Sequence, residues 1–247
     1  MKNGIITEIC CGSVDDCITA KGCGADRIEL VCGHFLGGLT PTLGVLSFSK
    51  EKVDIPILPI IRPRMSGFLY SETEFEAMCI DAKQLLEHGA DGIVFGFLKE
   101  DCSLDYEKCA RFMEIAGDKQ TVFHRAIDIV KDRDKAVEEL ISLGCTRILT
   151  SGGETSSYDG IDSIKHLVDF YGDKIEIMAG GGIKPHNIKE ILSKSGVRQV
   201  HFGGTGYVVD KSTNANPKLS FGATSCPPTD SYIAVNSQTV KTMIESI

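Results

Sequence analysis

The 247-residue sequence has no run of roughly 18 uncharged apolar residues, so no membrane-spanning helix is expected. Its first residues, Met1 to Glu8, reach a carboxylate too soon for the apolar region of a signal peptide. A cytoplasmic location follows as the expectation. Basic residues are in deficit, 26 Lys and Arg against 34 Asp and Glu, for a net charge of −8. Nucleic acid as a partner is thereby disfavoured, because it needs a basic face to displace counterions. A small anionic metabolite needs only a few local donors and stays open. No Cys-x-x-Cys pair occurs among the ten cysteines, and none shows a zinc-type spacing with histidine. Spread through a chain of this length, they do not suggest a secreted disulfide scaffold, and most read as small buried apolar residues.

Against those absences stands one recurring pattern. At Gly24, Gly89, Gly144 and Gly196 a helical stretch ends, a few small or polar residues follow, and an apolar run begins. Glycine suits the position after a helix because it tolerates positive φ. Repeats at roughly 50 to 65 residues match two βα units each, hence eight units. The intervening strands are predicted at Ile5 to Cys11, Ile55 to Ile61, Thr121 to Arg125 and Ile175 to Ala179. Helical periodicity is clearest from Glu74 to Leu86. Strand–helix alternation implies a parallel sheet, and eight units favour closure into a (β/α)8 barrel, the TIM barrel, over an open doubly wound sheet. The barrel is expected over residues 1–206. Residues 207–247 form an irregular tail of the same domain, ending in a short helix from about Asn236 that Asn236 or Ser237 caps.

In a TIM barrel the pocket lies at the C-terminal ends of the strands. Polar residues placed there are the candidates. Glu8 and Glu29 sit inside otherwise apolar strands and need partners. Arg62, Arg64 and Arg125, at the same ends, are the cations on offer, either as a structural network or as clamps for substrate charge. His124 is the best single candidate for proton transfer, with Asp128 near enough to orient it. Gly181 and Gly182 after strand seven, Gly203 and Gly204 after strand eight, and Ser151 after strand six can present donors to an anion. Pro185 is expected in the first turn of the helix that follows strand seven. His201 joins the rim from strand eight, whereas His34 reads as dispensable. Cysteines crowd the first two strands, and Cys10 and Cys32 at neighbouring strand ends suit a soft ion such as Cu(I).

Several stretches together resemble the CutC copper-homeostasis family: Glu8-Ile9-Cys10, Gly24 to Leu30, Gly37 to Gly44, Ile61 to Arg64, Phe123 to Asp128, Leu149 to Gly152 and Met178 to Gly182. The resemblance implies a TIM barrel, a cytoplasmic homo-oligomer (dimer or tetramer), and a link to copper binding. Cys10 matches one copper-associated family cysteine. The second would stand at Val31, and Cys32 lies one place beyond it. A one-residue shift turns a side chain to the opposite face of its strand.

Two functions stand ahead of a third, a barrel that works mainly as an assembly or interaction scaffold. One is a Cu(I)-binding protein of copper homeostasis using Cys10 and Cys32. The other is an isomerase or lyase acting on a small phosphorylated or carboxylated metabolite. In that case His124, Asp128, Glu8 and Glu29 serve as the acid/base set, and the arginines, Ser151, His201 and the glycines hold the substrate.

Overall fold

Side chains alternate between the two faces of a strand, and here both faces are buried. The computed structural model describes residues 1–216, 218–219 and 230–247. Its eight parallel strands are β1 (Ile6–Cys11), β2 (Arg27–Leu30), β3 (Ile57–Pro59), β4 (Gly92–Phe95), β5 (Gln120–Phe123), β6 (Arg147–Thr150), β7 (Glu176–Gly180) and β8 (Gln199–Phe202). Between them run α1 (Val14–Gly22), α2 (Leu43–Lys52), α3 (Glu72–Glu87), α4 (Tyr106–Ala116), α5 (Arg133–Ser142), α6 (Ile161–Tyr171) and α7 (Ile188–Ser195). The sheet order is β3-β2-β1-β8-β7-β6-β5-β4. Its two outer strands then meet: Ile60 bridges Val94, and the Ile61 N–H donates to the Val94 carbonyl at 2.7 Å. The ring closes, so the fold is the expected (β/α)8 barrel and not the open sheet.

The glycines that mark the repeat do what their chemistry predicts. Gly24, Gly89, Gly144 and Gly196 all take positive φ between a helix and the next strand. Helix starts are fixed by side-chain caps, among them Ser13, Thr42 and Asp132, and by a Ser71–Glu74 capping box on α3.

Alternation divides the core in two. Ile9, Cys11, Ile28, Leu30, Ile57, Ile148 and Val200 point out to the helices and join the large outer core. Inside the ring, Val31, Leu58, Ile60, Val94, Val122, Leu149 and Met178 form a second apolar cluster, with Cys10 packed against it. Cysteines 11, 17, 79, 109 and 145 are buried as small apolar residues, while Cys102 is exposed and Cys226 lies outside the described residues.

The stretch after β8 is more ordered than its composition suggests. β9 (Thr205–Val209) and β10 (Ser231–Val235) form an antiparallel hairpin. Within the irregular stretch expected between them, residues 217 and 220–229 lie outside the described set. The terminal helix α8 (Ser237–Glu245) is capped by Asn236, as expected. It packs as a barrel helix: Val240 closes on Gly204, and Lys2 reaches the Ile244 and Glu245 carbonyls at 3.0 and 2.8 Å. The hairpin is thus an insertion between β8 and the last helix of the ring. Among the described residues no helix is long and apolar enough to cross a membrane.

Candidate metal and ligand site

Inward parity collects the polar residues of distant strands. Glu8 and Cys10 on β1, Arg27 and Glu29 on β2, Arg147 on β6 and Gln199 and His201 on β8 all occupy inward positions. Deep in the barrel Glu8 pairs with Arg27, which also donates to Gln199 Oε1 at 2.8 Å and touches Met178 Sδ at 3.3 Å. Arg147 pairs with Glu176 and donates to Gln120 at 3.1 Å. Burial alone would raise the Glu8 carboxyl, but the Arg27 charge and the His201 contact hold it at about 2. Glu8 is therefore a fixed negative charge at the floor of the pocket.

Above it His201 spans two carboxylates, Nδ1 lying 2.8 Å from Glu8 and Nε2 lying 3.6 Å from Glu29. Burial opposes charge on this imidazole, yet Glu29 and Glu8 together outweigh it and raise the pKa. Burial, partly offset by His201, pushes Glu29 up. Cys10 is driven well up by burial and then by Glu29. The donor atoms of Cys10, Glu29 and His201 lie within 4.8 Å of one another.

Space for these rings comes from two glycines. A Cβ on Gly180 would sit 3.2 Å from the His201 Cβ and 2.5 Å from Leu149. One on Gly96 would sit 2.3 Å from the His124 ring. His124 is fully enclosed. Its Nδ1 accepts from the Ala126 N–H at 3.2 Å, so its proton belongs on Nε2, which has no partner among the described residues. Burial first, and the Arg62 charge second, lower its pKa to about 3. The ring packs on Phe68 with centroids 4.7 Å apart.

The remaining expectations fare unevenly. Arg62 lines the pocket, but its Nη1 is committed to the Leu36, Gly37 and Gly38 carbonyls at 3.0–3.1 Å and its Nη2 to Ser66 at 2.8 Å. It holds the β2 loop, and its buried Nε has no partner among the described residues. Arg64 is not at the pocket: it forks onto Glu74 at the start of α3, because the chain bends out of the strand direction over residues 63–66. Asp128 does not orient His124. Its carboxylate accepts from Thr150 Oγ1, from the N–H groups of Ser151 and Gly153, from Ser151 Oγ and from Arg125 Nε, tying the β5 and β6 loops together. Ser151 is likewise spent on Asp128, Arg125 and the Glu154 carbonyl. Cys32 points away from Cys10 and its thiol donates to the Thr40 carbonyl at 3.2 Å, while Val31 lines the pocket. The two cysteines therefore do not form a site together. Gly181, Gly182, Gly203 and Gly204 do line one face of the cavity with His201. The helix after them starts only at Ile188, since Asn187 accepts the Lys184 N–H at 2.8 Å and holds a turn through Pro185 instead.

Residue-by-residue reading of the sequence missed Arg27, Arg147 and Gln199 as the partners of Glu8, although their alternation with Glu29 and His201 carries that signal. It also undervalued His34, which lines the cavity with Nε2 3.3 Å from the Cys10 carbonyl.

A closed parallel barrel with a Cys–Glu–His cluster in its C-terminal mouth defines a class: TIM barrels with a polar cluster at the ends of their strands. Within that class the chain belongs to the CutC family, whose model matches residues 5–206. A CutC family protein of Treponema denticola is 44% identical over 247 residues, the whole of both chains. The human copper homeostasis protein cutC homolog is 44% identical over 199 residues, 81% of this chain and 73% of its own length. The crystal structure of a Streptococcus agalactiae protein described as copper homeostasis protein CutC superposes with a TM-score of 0.76 at 32% identity, covering 80% of this chain and 98% of that one.

Proposed function

We propose that this protein serves copper homeostasis by binding a copper ion at the floor of the barrel mouth, through Cys10, His201 and Glu29. The observation that carries the reading is the contact between His201 Nδ1 and Glu8. Histidines that hold metals commonly donate their other ring nitrogen to a carboxylate, which fixes the tautomer and frees the first nitrogen as a ligand. Glu8, kept ionised by Arg27, is that carboxylate, and it leaves Nε2 on the side of Glu29 and Cys10. The donors fit copper: one thiolate and one imidazole suit it in preference to an oxygen-seeking ion. Relatives named for copper homeostasis support the same ion. Cys32 has no part in the site, since its thiol is engaged by Thr40.

Anaerobic Cu(I) titration against a competing chelator tests this. Wild type and Cys32→Ser should bind one equivalent alike, while Cys10→Ser and His201→Gln should lose tight binding. Undiminished binding by Cys10→Ser, or its loss in Cys32→Ser, would remove the site.

A further inference from the structure

The proposed copper ligands occupy only the floor of the mouth. Above them lie two adjacent cavities of about 310 and 360 Å³, with Cys10, His34, Arg125, Leu149 and His201 in the walls of both. Two features there are unexplained by metal binding.

The first is a set of uncommitted donors at one end. The loops after β7 and β8 bring Gly182, Gly203 and Gly204 into the wall beside Arg125 and Lys184. Among the described residues no hydrogen bond takes the N–H of any of these three glycines. Arg125 uses Nε and Nη2 on Asp128, Ser151 and Glu154, whereas its Nη1 has no such bond and borders Gly181, where a Cβ would sit 3.1 Å away. Lys184 has no ion-pair partner among the described residues. Backbone N–H groups converging with a guanidinium are the chemistry that holds a dianion.

The second feature lies at the other end. Two buried donors in the wall have no acceptor among the described residues, Nε2 of His124 and Nε of Arg62. A buried donor without an acceptor destabilises the fold, and two of them in one cavity wall suit an acceptor that arrives from outside.

We propose that this space binds a small phosphate monoester. Its phosphate rests on Arg125 and the N–H groups of Gly182, Gly203 and Gly204, and a carboxylate or carbonyl at its other end accepts from His124 and Arg62. The space shares Cys10, Glu29 and His201 with the proposed copper ligands, so its test is run on chelator-treated protein, where either reading can fail alone.

Calorimetric titration uses three probes: inorganic phosphate, glycerol phosphate and phosphoglycerate. Gly203→Asp is the main variant. Gly203 does not take positive φ, and the nearest atom to an added Cβ is 3.4 Å away, so the chain accommodates the side chain while a carboxylate enters the anion end. All three probes should bind wild type, and Gly203→Asp should weaken each at least about tenfold, or 1.4 kcal/mol. His124→Phe, which keeps the packing on Phe68 but has no donor, should weaken phosphoglycerate by a similar factor and leave inorganic phosphate unchanged. Circular dichroism of both variants checks the fold. Failure of every probe to bind wild type, or unchanged binding by Gly203→Asp, overturns the proposal. Unchanged phosphoglycerate binding by His124→Phe overturns the placement of the second end.

Discussion

Nδ1 of His201 lies 2.8 Å from Oε1 of Glu8, and the same Glu8 pairs with Arg27 through its other oxygen. One carboxylate thus ties the His201 imidazole to the buried ion network below it. A charge in this position is sustained only by its partners, and removing one partner strands the other.

Glu8→Gln is therefore expected to cost stability and binding together. Arg27 would keep Gln199 but lose its counter-charge in a fully enclosed setting, for a loss of about 3–5 kcal/mol in urea unfolding. The imidazole would lose its fixed tautomer, and second-sphere losses of this kind weaken metal affinity by about 10–100-fold. An unfolding midpoint and a Cu(I) affinity both equal to wild type would show that the Glu8 contact holds neither Arg27 nor His201 in place.

Acid should unfold the protein in two overlapping stages. The His124 pKa falls from 6.5 to about 3 on folding, so its contribution is complete above pH 6.5 and is lost as the pH drops toward 3. The Glu8 pKa falls from 4.5 to about 2, so its contribution is complete above pH 4.5 and is lost between there and 2. His201 works the other way: its raised pKa adds stability in acid that is lost as the pH rises through the folded value. Comparing wild type with His124→Phe isolates the first group. Between pH 6.5 and 4.5 wild type should lose up to about 1.4 kcal/mol per pH unit more than the variant. Parallel stability curves over that range would mean that His124 is not held neutral by burial.

The contrast between these groups shows how much of the site the sequence made legible. Period and punctuation were enough for the barrel, because glycine after each helix and buried strands on a fixed repeat leave few other closures. Inward parity placed Glu8, Cys10, Glu29 and His201 on one face, and the same parity set Cys32 on the other. Partnerships were harder to read. Glu8 found Arg27 on the adjacent strand and not the arginines at the strand ends, since neighbouring strands in register lie closer than any loop can reach. Asp128 and Arg125 were legible as rim residues, but local hydrogen bonding between the β5 and β6 loops claimed the carboxylate before His124 could. The α8 helix was visible from its cap, while the hairpin before it had no periodicity long enough to announce two strands.

Arg62 and Arg64, two residues apart, should respond to mutation in opposite ways. Arg62 stands at the barrel mouth, whereas the chain bends away from the strand direction from Pro63 onward and carries Arg64 to Glu74. Arg62 is 6% exposed and supplies donors to four backbone carbonyls, three of them in the Leu36 to Gly38 turn, whose glycines take positive φ. Arg62→Ala leaves those carbonyls without a partner and opens space beside Phe68. A loss of about 3 kcal/mol is expected, with faster amide exchange confined to the β2 and β3 loops. Arg64 forms an exposed pair with Glu74, where solvent screens the charges and Ser71 already caps the helix. Arg64→Ala should leave the urea midpoint close to wild type. Equal destabilisation by the two variants would mean that Arg62 does not brace the pocket wall, and the unpartnered Nε assigned to ligand binding would lose the rigid support that holds it there.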